Sequence, residues 1–130
     1  MSPSHRILLA EDNPINQRVA IYLLQRRGYS VTIVDNGLDA VNAVRKHNFD
    51  AVLMDVQMPG LDGLEATTAI RRIEAGTNRH TRIIAMTAHA MKGDRERCLE
   101  AGMDGYISKP VQSAQLYETL EGIIATEASN

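Results

Sequence analysis

The residue types that do chemistry stand, in this sequence, directly after short apolar runs. If each run is a strand of one parallel sheet, these residues meet at the carboxyl edge of that sheet, where open α/β sheets bind their ligands. The residues placed in this way are Glu11, Asp12, Asp55, Thr87 and Lys109.

Three of these residues are carboxylates, and holding them together is costly. Two like charges about 4 Å apart repel each other by roughly 4 kcal/mol at an effective dielectric of 20, so the cluster needs a positive charge beside it. Lys109 can supply one, and a hard divalent cation can supply another. Mg²⁺ suits one or two carboxylates together with retained waters and a phosphate oxygen. The sequence therefore predicts a magnesium site at Glu11, Asp12 and Asp55.

Asp55 is predicted to be a nucleophile in this setting. An aspartate carboxylate can attack phosphorus and form an acyl phosphate. The Lys109 ammonium and the Thr87 hydroxyl can contact the oxygens of the transferred group, while a metal ion neutralises its charge. The chemistry that these residue types permit is phosphoryl transfer.

Five apolar runs and five helix-like segments must position these residues, and they alternate along the chain. Short apolar runs between amphipathic segments are typical of βαβ units with a parallel sheet. The predicted strands are 7–10, 31–34, 51–54, 83–86 and 106–108, and the predicted helices are 14–27, 37–46, 63–74, 92–101 and one that begins at Ser113.

Strict alternation with right-handed crossovers predicts an α/β fold, a (βα)5 doubly wound three-layer sandwich. The flavodoxin-like strand order 2-1-3-4-5 is the usual one for a small domain of this kind. A length of 130 residues suits one domain, so we expect a single domain over 1–130, with a core at about 6–125 and short flexible ends.

Composition excludes several other classes of protein. The chain is 44% hydrophobic and 23% charged, with 14 basic and 16 acidic side chains and no basic stripe, which argues against direct nucleic-acid binding. No apolar run approaches the roughly 20 residues that a membrane span needs, so we expect no membrane insertion of this piece. The single Cys98 fits a reducing compartment, and we expect a cytoplasmic protein.

Four sequence stretches resemble the receiver domains of response regulators, the phosphoacceptor modules of two-component signalling. The resemblance runs from about Arg6 to Ile124 and is strongest to receiver domains attached to hybrid sensor histidine kinases. The stretches are ILLAEDNPINQ, AVLMDVQMPGLDGLEAT, IIAMTAHAM and AGMDGYISKPV.

This resemblance implies that Asp55 is phosphorylated from a phosphohistidine of a histidine kinase or a histidine-phosphotransfer protein. It implies that Asp12 binds Mg²⁺ directly, Glu11 through water, and Gln57 through its backbone carbonyl. The domain would catalyse its own phosphorylation and dephosphorylation without being an enzyme in the usual sense. It is either a stand-alone regulator or a piece of a larger hybrid kinase.

Further roles follow from the same resemblance. Thr87 and Tyr106 would form the switch, and the peptide bond before Pro110 would be cis. Gln57 and His89 flank the path of the hydrolysing water, which makes them candidates for setting the lifetime of the phosphorylated state. Ile15 is either a docking contact for a phosphotransfer partner or a core residue.

One alternative function keeps the fold without the chemistry. A pseudo-receiver would act as a phosphorylation-independent protein-interaction module. The presence together of Glu11, Asp12, Asp55, Thr87 and Lys109 argues against it.

Overall fold

The computed structural model describes residues 5–58, 60–88 and 92–128. Within these ranges five strands alternate with five helices. The strands are β1 (Arg6–Ala10), β2 (Ser30–Val34), β3 (Ala51–Asp55), β4 (Ile83–Thr87) and β5 (Gly105–Ser108). The helices are α1 (Pro14–Arg26), α2 (Gly37–Lys46), α3 (Gly63–Glu74), α4 (Lys92–Glu100) and α5 (Ser113–Ala128).

The strands form one parallel sheet in the order β2-β1-β3-β4-β5, which confirms the predicted fold class. Ala10 pairs with Met54, Asp55 with Met86 and Thr87 with Ser108. This register brings the ends of β1, β3, β4 and β5 to one edge of the sheet. We call it the carboxyl edge, and we call the opposite edge the base.

Two apolar clusters cover the two faces of the sheet and make the three layers. One cluster joins alternate residues of β1, β3 and β4, such as Leu8 and Val52, to α2, α3 and α4. The other joins the intervening residues, such as Leu9 and Leu53, to α1 and α5. Every residue of β3 is buried, as expected of a strand at the centre of a parallel sheet.

Side-chain caps start three helices at the carboxyl edge. Asn13 accepts hydrogen bonds from the N–H groups of the first turn of α1, and Asn36 does the same for α2. Asp62 and Glu65 form a reciprocal capping box at the start of α3. Each cap satisfies backbone donors that a helix start leaves unpaired.

Arg71 joins three segments of the chain at the base. From α3 its guanidinium donates to the carbonyl oxygen of Gly102 at 2.7 and 2.9 Å and to Asp104 Oδ2 at 2.8 Å. It also donates to Glu74 Oε1 at 2.7 Å. The other carboxylate oxygen of Glu74 accepts from the N–H and the hydroxyl of Thr81 at 2.7 and 2.6 Å. We call these residues the base network.

The observed bounds agree closely with those read from the sequence. Helices α1 and α4 each end one residue earlier than predicted, and strands β1, β2, β3, β4 and β5 each gain one residue at one end. Differences of this size lie within the usual uncertainty of element ends. In the described part of the chain, no helix is long and apolar enough to cross a membrane.

Candidate functional site

Three carboxylates meet at the carboxyl edge, between the ends of β1 and β3. One oxygen each from Glu11, Asp12 and Asp55 lies within 4.8 Å of the other two. Glu11 is 1% exposed and Asp55 3%, whereas Asp12 is exposed. The cluster therefore has two buried carboxylates and a third that opens to solvent.

Lys109 bridges the two buried carboxylates. Its Nζ lies 2.8 Å from Glu11 Oε1 and 2.8 Å from Asp55 Oδ2. The loop after β5 holds it there, because the N–H of Lys109 donates to the carbonyl oxygen of Thr87 at 2.8 Å. The peptide bond between Lys109 and Pro110 is cis.

The charges at this site shift the pKa values of two groups. Burial of Lys109 by itself lowers its pKa, but hydrogen bonds to Asp55 and Glu11 outweigh that effect, so the pKa of Lys109 is raised. Burial raises the pKa of Glu11 to about 7; Asp55 adds to the rise, while Lys109 and the N–H of Asn13 oppose it. Burial is thus the main cause of the raised pKa of Glu11, and the neighbouring Asp55 carboxylate adds to it.

The donor set fits a hard divalent cation. It consists of carboxylate oxygens from three residues, one of them exposed, and the neighbouring Lys109 pairs with two of the three. Oxygen ligands with room for water are what Mg²⁺ takes, whereas zinc prefers nitrogen and sulfur. Glu11, Asp12 and Asp55 are therefore the residues able to hold such an ion.

The loop after β3 fixes the Asp55 side chain. The N–H of Gln57 donates to Asp55 Oδ1 at 3.0 Å, and the N–H of Val56 donates to the carbonyl oxygen of Met86 at 3.0 Å. Gly63 packs directly against the backbone, since a Cβ at this position would lie 2.2 Å from the carbonyl oxygen of Asp55. Asp55 is thus held from both sides while its carboxylate faces the cluster.

The loop after β1 is fixed in a similar way. The N–H of Asn13 donates to Glu11 Oε2 at 3.2 Å, and Gln17 Nε2 donates to the carbonyl oxygen of Glu11 at 2.6 Å. The N–H of Glu11 donates to the carbonyl oxygen of Val34 at 3.0 Å. These contacts anchor Glu11 at its backbone and its side chain.

Thr87 and Tyr106 lie on the face of the sheet that α4 covers. Thr87 is buried at the end of β4. Tyr106 pairs with Ala85 in the sheet and packs against the apolar cluster beneath α4. Alternation along the strands puts Thr87 and Tyr106 on the same face, so the structure brings these two sequence-predicted residues near each other.

A cleft of about 580 Å³ opens beside the carboxylates, and its lining includes Asp12, Gln57, Thr87 and, from α4, Asp94 and Arg97. Gln57 is exposed on its rim. His89, the other residue predicted to set the lifetime of a phosphorylated state, lies outside the described residues.

Ile15 stands on the outer surface of α1, near the site. Its side chain is 71% exposed, which excludes the alternative that it is a core residue. Val19 and Tyr22 are also exposed, at 43% and 60%, and the spacing of the three residues places them on one helix face.

Two residues that support the site carried no clear signal in the sequence. Gly63 read only as the start of a helix, and Gln17 only as a polar residue within one. The contact between Gln17 and Glu11 depends on how α1 packs back across the end of β1, which no local pattern shows. A glycine directly after the capping Asp62 is a weak sign of close packing, since any small residue can follow a cap.

Comparison with known proteins agrees with this geometry. Residues 7–121 match the model of the response regulator receiver domain. A hybrid signal transduction histidine kinase I of Dictyostelium discoideum is 48% identical over 120 residues, which is 88% of this chain and 7% of that protein. The sensor protein GacS of Pseudomonas syringae pv. syringae is 46% identical over 120 residues, or 92% of this chain and 13% of that protein.

Solved structures show the same likeness. The receiver domain of the sensor histidine kinase PA1611 from Pseudomonas aeruginosa PAO1, with a magnesium ion coordinated in its active-site cleft, is 45% identical, with a TM-score of 0.85 over 95% of this chain and 99% of that one. The receiver domain in the complex of Saccharomyces cerevisiae Ypd1 and Ssk1 is 30% identical, with a TM-score of 0.89 over 98% and 94% of the two chains.

The chain belongs to the response regulator receiver domain family, and its relatives include receiver domains of hybrid sensor histidine kinases. It spans about a tenth of the length of these two kinases. Its acidic cluster of Glu11, Asp12 and Asp55 is consistent with a phosphoacceptor role in a phosphorelay.

Proposed function

We propose that Asp55 accepts a phosphoryl group from a phosphohistidine in a Mg²⁺-dependent reaction. The observation that carries this proposal is the meeting of three carboxylates within 4.8 Å beside Lys109, whose Nζ lies 2.8 Å from Asp55. The bond between phosphorus and the histidine nitrogen breaks as a bond forms between phosphorus and an Asp55 oxygen. The imidazole leaves with the electron pair of the broken bond.

The residues around Asp55 have distinct tasks in this reaction. Bound Mg²⁺ supplies charge neutralisation on the transferred phosphoryl group, held by Glu11, Asp12, Asp55 and the backbone carbonyl of Gln57. Lys109 and the hydroxyl of Thr87 bind the oxygens of the phosphoryl group. Since Lys109 already lies against Asp55, little reorganisation is needed when the new charge arrives.

The domain then switches at the face that α4 covers. The phosphoryl group draws Thr87 toward it, and Tyr106 moves into the space that Thr87 leaves. Such a local charge change biases the surface between two arrangements. Tyr106 is suited to this task because it packs against the apolar cluster beneath α4 and pairs with Ala85, two residues before Thr87 in β4.

Labelling with acetyl phosphate or beryllofluoride tests the phosphoacceptor residue. In the presence of Mg²⁺ we expect the wild type to gain one phosphoryl group by mass, or to respond spectroscopically to beryllofluoride, and Asp55→Ala to do neither. Asp35→Asn is a matched control, because Asp35 is an exposed aspartate just after β2 at the same edge. Labelling that survives in Asp55→Ala, or is absent from the wild type, would favour the phosphorylation-independent interaction module.

We further propose that α1 docks the phosphodonor, a histidine kinase or a histidine-phosphotransfer protein. Ile15, Val19 and Tyr22 form an exposed apolar face, and α1 contains arginines but no acidic residue. A partner helix with apolar side chains bordered by acidic ones would complement this face. The likeness to a receiver domain solved with the histidine phosphotransfer protein Ypd1 supports a partner of this class.

Transfer kinetics test the docking proposal. We expect Ile15→Asp to slow transfer from a phosphorylated donor about tenfold or more while leaving labelling by acetyl phosphate within about twofold of the wild type. Ile73→Asp is the control, since Ile73 is an exposed isoleucine of α3 outside the α1 face. Equal losses in both assays would show that the substitution damages the site and not the docking.

Gln57 and His89 are proposed to set the lifetime of the phosphorylated state. The exposed position of Gln57 on the cleft rim supports this role, because a side chain there borders the route of water to Asp55. We expect Gln57→Ala or His89→Ala to change the rate of autodephosphorylation more than twofold and Gln25→Ala to leave it unchanged. A rate within about twofold of the wild type for either variant would contradict the proposal.

The setting of the domain is part of the proposal. We place a single receiver domain over 1–130, with its core at about 6–125, in the cytoplasm, catalysing its own phosphorylation and dephosphorylation. The two apolar clusters that cover one sheet support a single core on each face. The free, buried Cys98 is in keeping with a reducing compartment.

A further inference from the structure

Asp12 differs from its two neighbours in how it is held. Glu11 and Asp55 are fixed by contacts to Lys109 at 2.8 Å. Among the described residues, the Asp12 carboxylate has no hydrogen-bond or ion-pair partner, and it is exposed. The place of the Asp12 carboxylate therefore depends on the backbone that carries it.

Gln17 orients that backbone. The peptide group between Glu11 and Asp12 is planar, so its carbonyl oxygen and the Asp12 Cα turn together. Gln17 Nε2 donates to this carbonyl oxygen at 2.6 Å, across from α1. Gln17 is itself anchored at the start of the helix, where its N–H donates to the carbonyl oxygen of Asn13 at 2.9 Å.

The rest of the loop does not replace this contact. The N–H of Glu11 bonds to Val34 and so fixes the peptide group before Glu11, while the N–H of Asn13 donates to the Glu11 side chain and fixes the peptide group after Asp12. The peptide group between the two carboxylates is held by the Gln17 amide. Loss of that amide frees this peptide group to rotate, and the rotation would move the Asp12 Cα relative to Glu11 and Asp55.

We propose that Gln17 is a positioning residue for the metal site. Its side-chain amide holds the peptide group between Glu11 and Asp12 in the orientation that places the Asp12 carboxylate to bind Mg²⁺. The inference rests on the proposed function, because it concerns the same site. Groups that orient metal ligands commonly raise metal affinity without touching the ion. Gln17 acts on the metal-binding residue Asp12 indirectly, through its hydrogen bond to the backbone carbonyl oxygen of Glu11.

Magnesium titration calorimetry on matched variants tests the proposal. Gln17→Met keeps the length and the helix propensity of the side chain but removes the donor. We expect its Kd for Mg²⁺ to rise about three- to tenfold, the loss that one hydrogen bond typically gives. Gln25→Met makes the same change on the exposed end of α1 and should leave Kd unchanged.

Thermal unfolding in EDTA separates positioning from a purely structural role. If Gln17 has only a structural role, Gln17→Met should have a lower Tm in EDTA but an unchanged Kd for Mg²⁺. A Kd of this variant within about 1.5-fold of the wild-type value would therefore overturn the proposal. If Gln17→Met does not fold, Gln17→Asn keeps the amide but is too short to reach Glu11, and the same rise in Kd is expected. A wild type that binds no Mg²⁺ would overturn the metal site itself, whereas a wild-type Kd in a folded Gln17 variant would overturn only the role of Gln17.

Discussion

Lys109 neutralises only part of the charge that Glu11, Asp12 and Asp55 bring together. Its ammonium contacts Glu11 and Asp55, both at 2.8 Å. Asp12 receives no such contact within the described residues, so three carboxylates stand beside an ammonium that pairs with two of them. Without a bound cation, the carboxylates therefore repel each other in the folded state more than in the unfolded state. Functional sites often retain such unfavourable interactions.

Asp12→Asn is expected to stabilise the metal-free domain. The substitution removes a charge that repels its neighbours and that accepts no hydrogen bond from the described residues. We expect a gain of about 0.5 to 1 kcal/mol in the free energy of unfolding, a small value because Asp12 is exposed to solvent. Urea unfolding in EDTA measures it.

The same variant should lose the stabilisation that Mg²⁺ gives to the wild type, because ligand binding stabilises only the state that binds. Glu100→Gln, which removes an exposed charge far from the cluster, is the control and should change neither quantity. A variant less stable than the wild type in EDTA would show that Asp12 has a stabilising contact.

Gly63→Ala is expected to destabilise the domain and to disturb Asp55. The new Cβ would lie 2.2 Å from the carbonyl oxygen of Asp55 and 3.0 Å from the Cα of Val56, so the backbone at Asp55 must shift. Overpacking of this kind typically costs about 1 to 3 kcal/mol. Chemical denaturation measures the loss, and acetyl phosphate labelling measures the effect on Asp55.

Gly93→Ala gives the matched comparison. Gly93 also lies in the first turn of a helix, but a Cβ there meets no atom of the described residues within 4 Å. We expect this variant to be as stable as the wild type or more stable, since alanine favours helix more than glycine does. Equal destabilisation by both substitutions would argue against a specific contact at Gly63.

The principal residues of the candidate site were predictable because strand ends in a parallel sheet converge. Asp55 and Lys109 are far apart in sequence, yet the pattern of apolar runs, together with the usual strand order of such a fold, was enough to place them at the same edge. Gln17 was not predictable, because its contact is made by a helix side chain with a backbone carbonyl and leaves no mark on residue type.

At the scale of elements, α3, β4 and the loop between α4 and β5 are joined by charged side chains at the base. Arg71 links Glu74 to Gly102 and Asp104, and Asp104 also accepts from the N–H of Ile83 at 2.9 Å. The participating carboxylates accept several hydrogen bonds each, which is the condition under which buried charges are tolerated.

Glu74 gives this network a pH dependence. Burial by itself raises the pKa of Glu74, but hydrogen bonds from Thr81 and Arg71 outweigh burial and lower it below 4.5. A carboxylate with a lowered pKa stabilises the fold above its unfolded-state pKa, and this stabilisation is lost as pH falls through the folded-state value. The contribution of Glu74 is therefore full near neutral pH and declines below about pH 4.5.

Glu74→Gln should reproduce that loss at neutral pH. We expect the free energy of unfolding to fall by about 2 kcal/mol at pH 7, the usual size for hydrogen bonds to a charged group. The difference between variant and wild type should shrink as pH falls below about 4.5. Urea unfolding between pH 3 and 7 measures both. Glu100→Gln, at the exposed end of α4, is the control, and a constant difference across this range would contradict the assignment.

Sequence pattern located the elements because periodicity and capping agree in most of them. The helix starts predicted at residues 14 and 37 are present in the structure, where Asn13 and Asn36 cap them. The base network was missed, because Arg71 and Glu74 look like ordinary surface charges of a helix. Only the packing of α3 against the start of β4 shows that Glu74 is buried.

Across the whole molecule, the two edges of the sheet differ in how their charges are arranged. The carboxyl edge holds three carboxylates of which Lys109 contacts two, whereas the base holds carboxylates matched to Arg71 and to backbone donors. Local stability follows such differences in satisfied contacts. Movement after phosphorylation should therefore stay near the carboxyl edge.

Hydrogen exchange at backbone amides measures this difference between the carboxyl edge and the base. With Mg²⁺ and beryllofluoride we expect exchange to slow at the amides of Val56 and Lys109, which border Asp55, and to stay unchanged at the amides of Thr81 and Ile83, which bond to the base carboxylates. Asp55→Ala with the same reagents provides the baseline. Equal changes at both edges would mean that the base network moves together with the site.

The strand order was predictable only as the usual order for this kind of fold. Local pattern does not show which strands are neighbours. Exposed polar residues such as Ser30 and Thr32 are nevertheless typical of an outermost strand like β2, and full burial is typical of a central strand like β3. The two-sided core follows from the same alternation, since neighbouring strand residues face opposite layers.

The parallel arrangement also decides from where the domain can be tethered. Strand β1 starts at the base, and α5, which starts after β5 at the carboxyl edge, runs back to the base. Both ends of the described chain are thus on the side away from Asp55. A tether joined to either of these ends would attach at the base. The carboxylates would then point away from the tether and stay accessible to a phosphodonor.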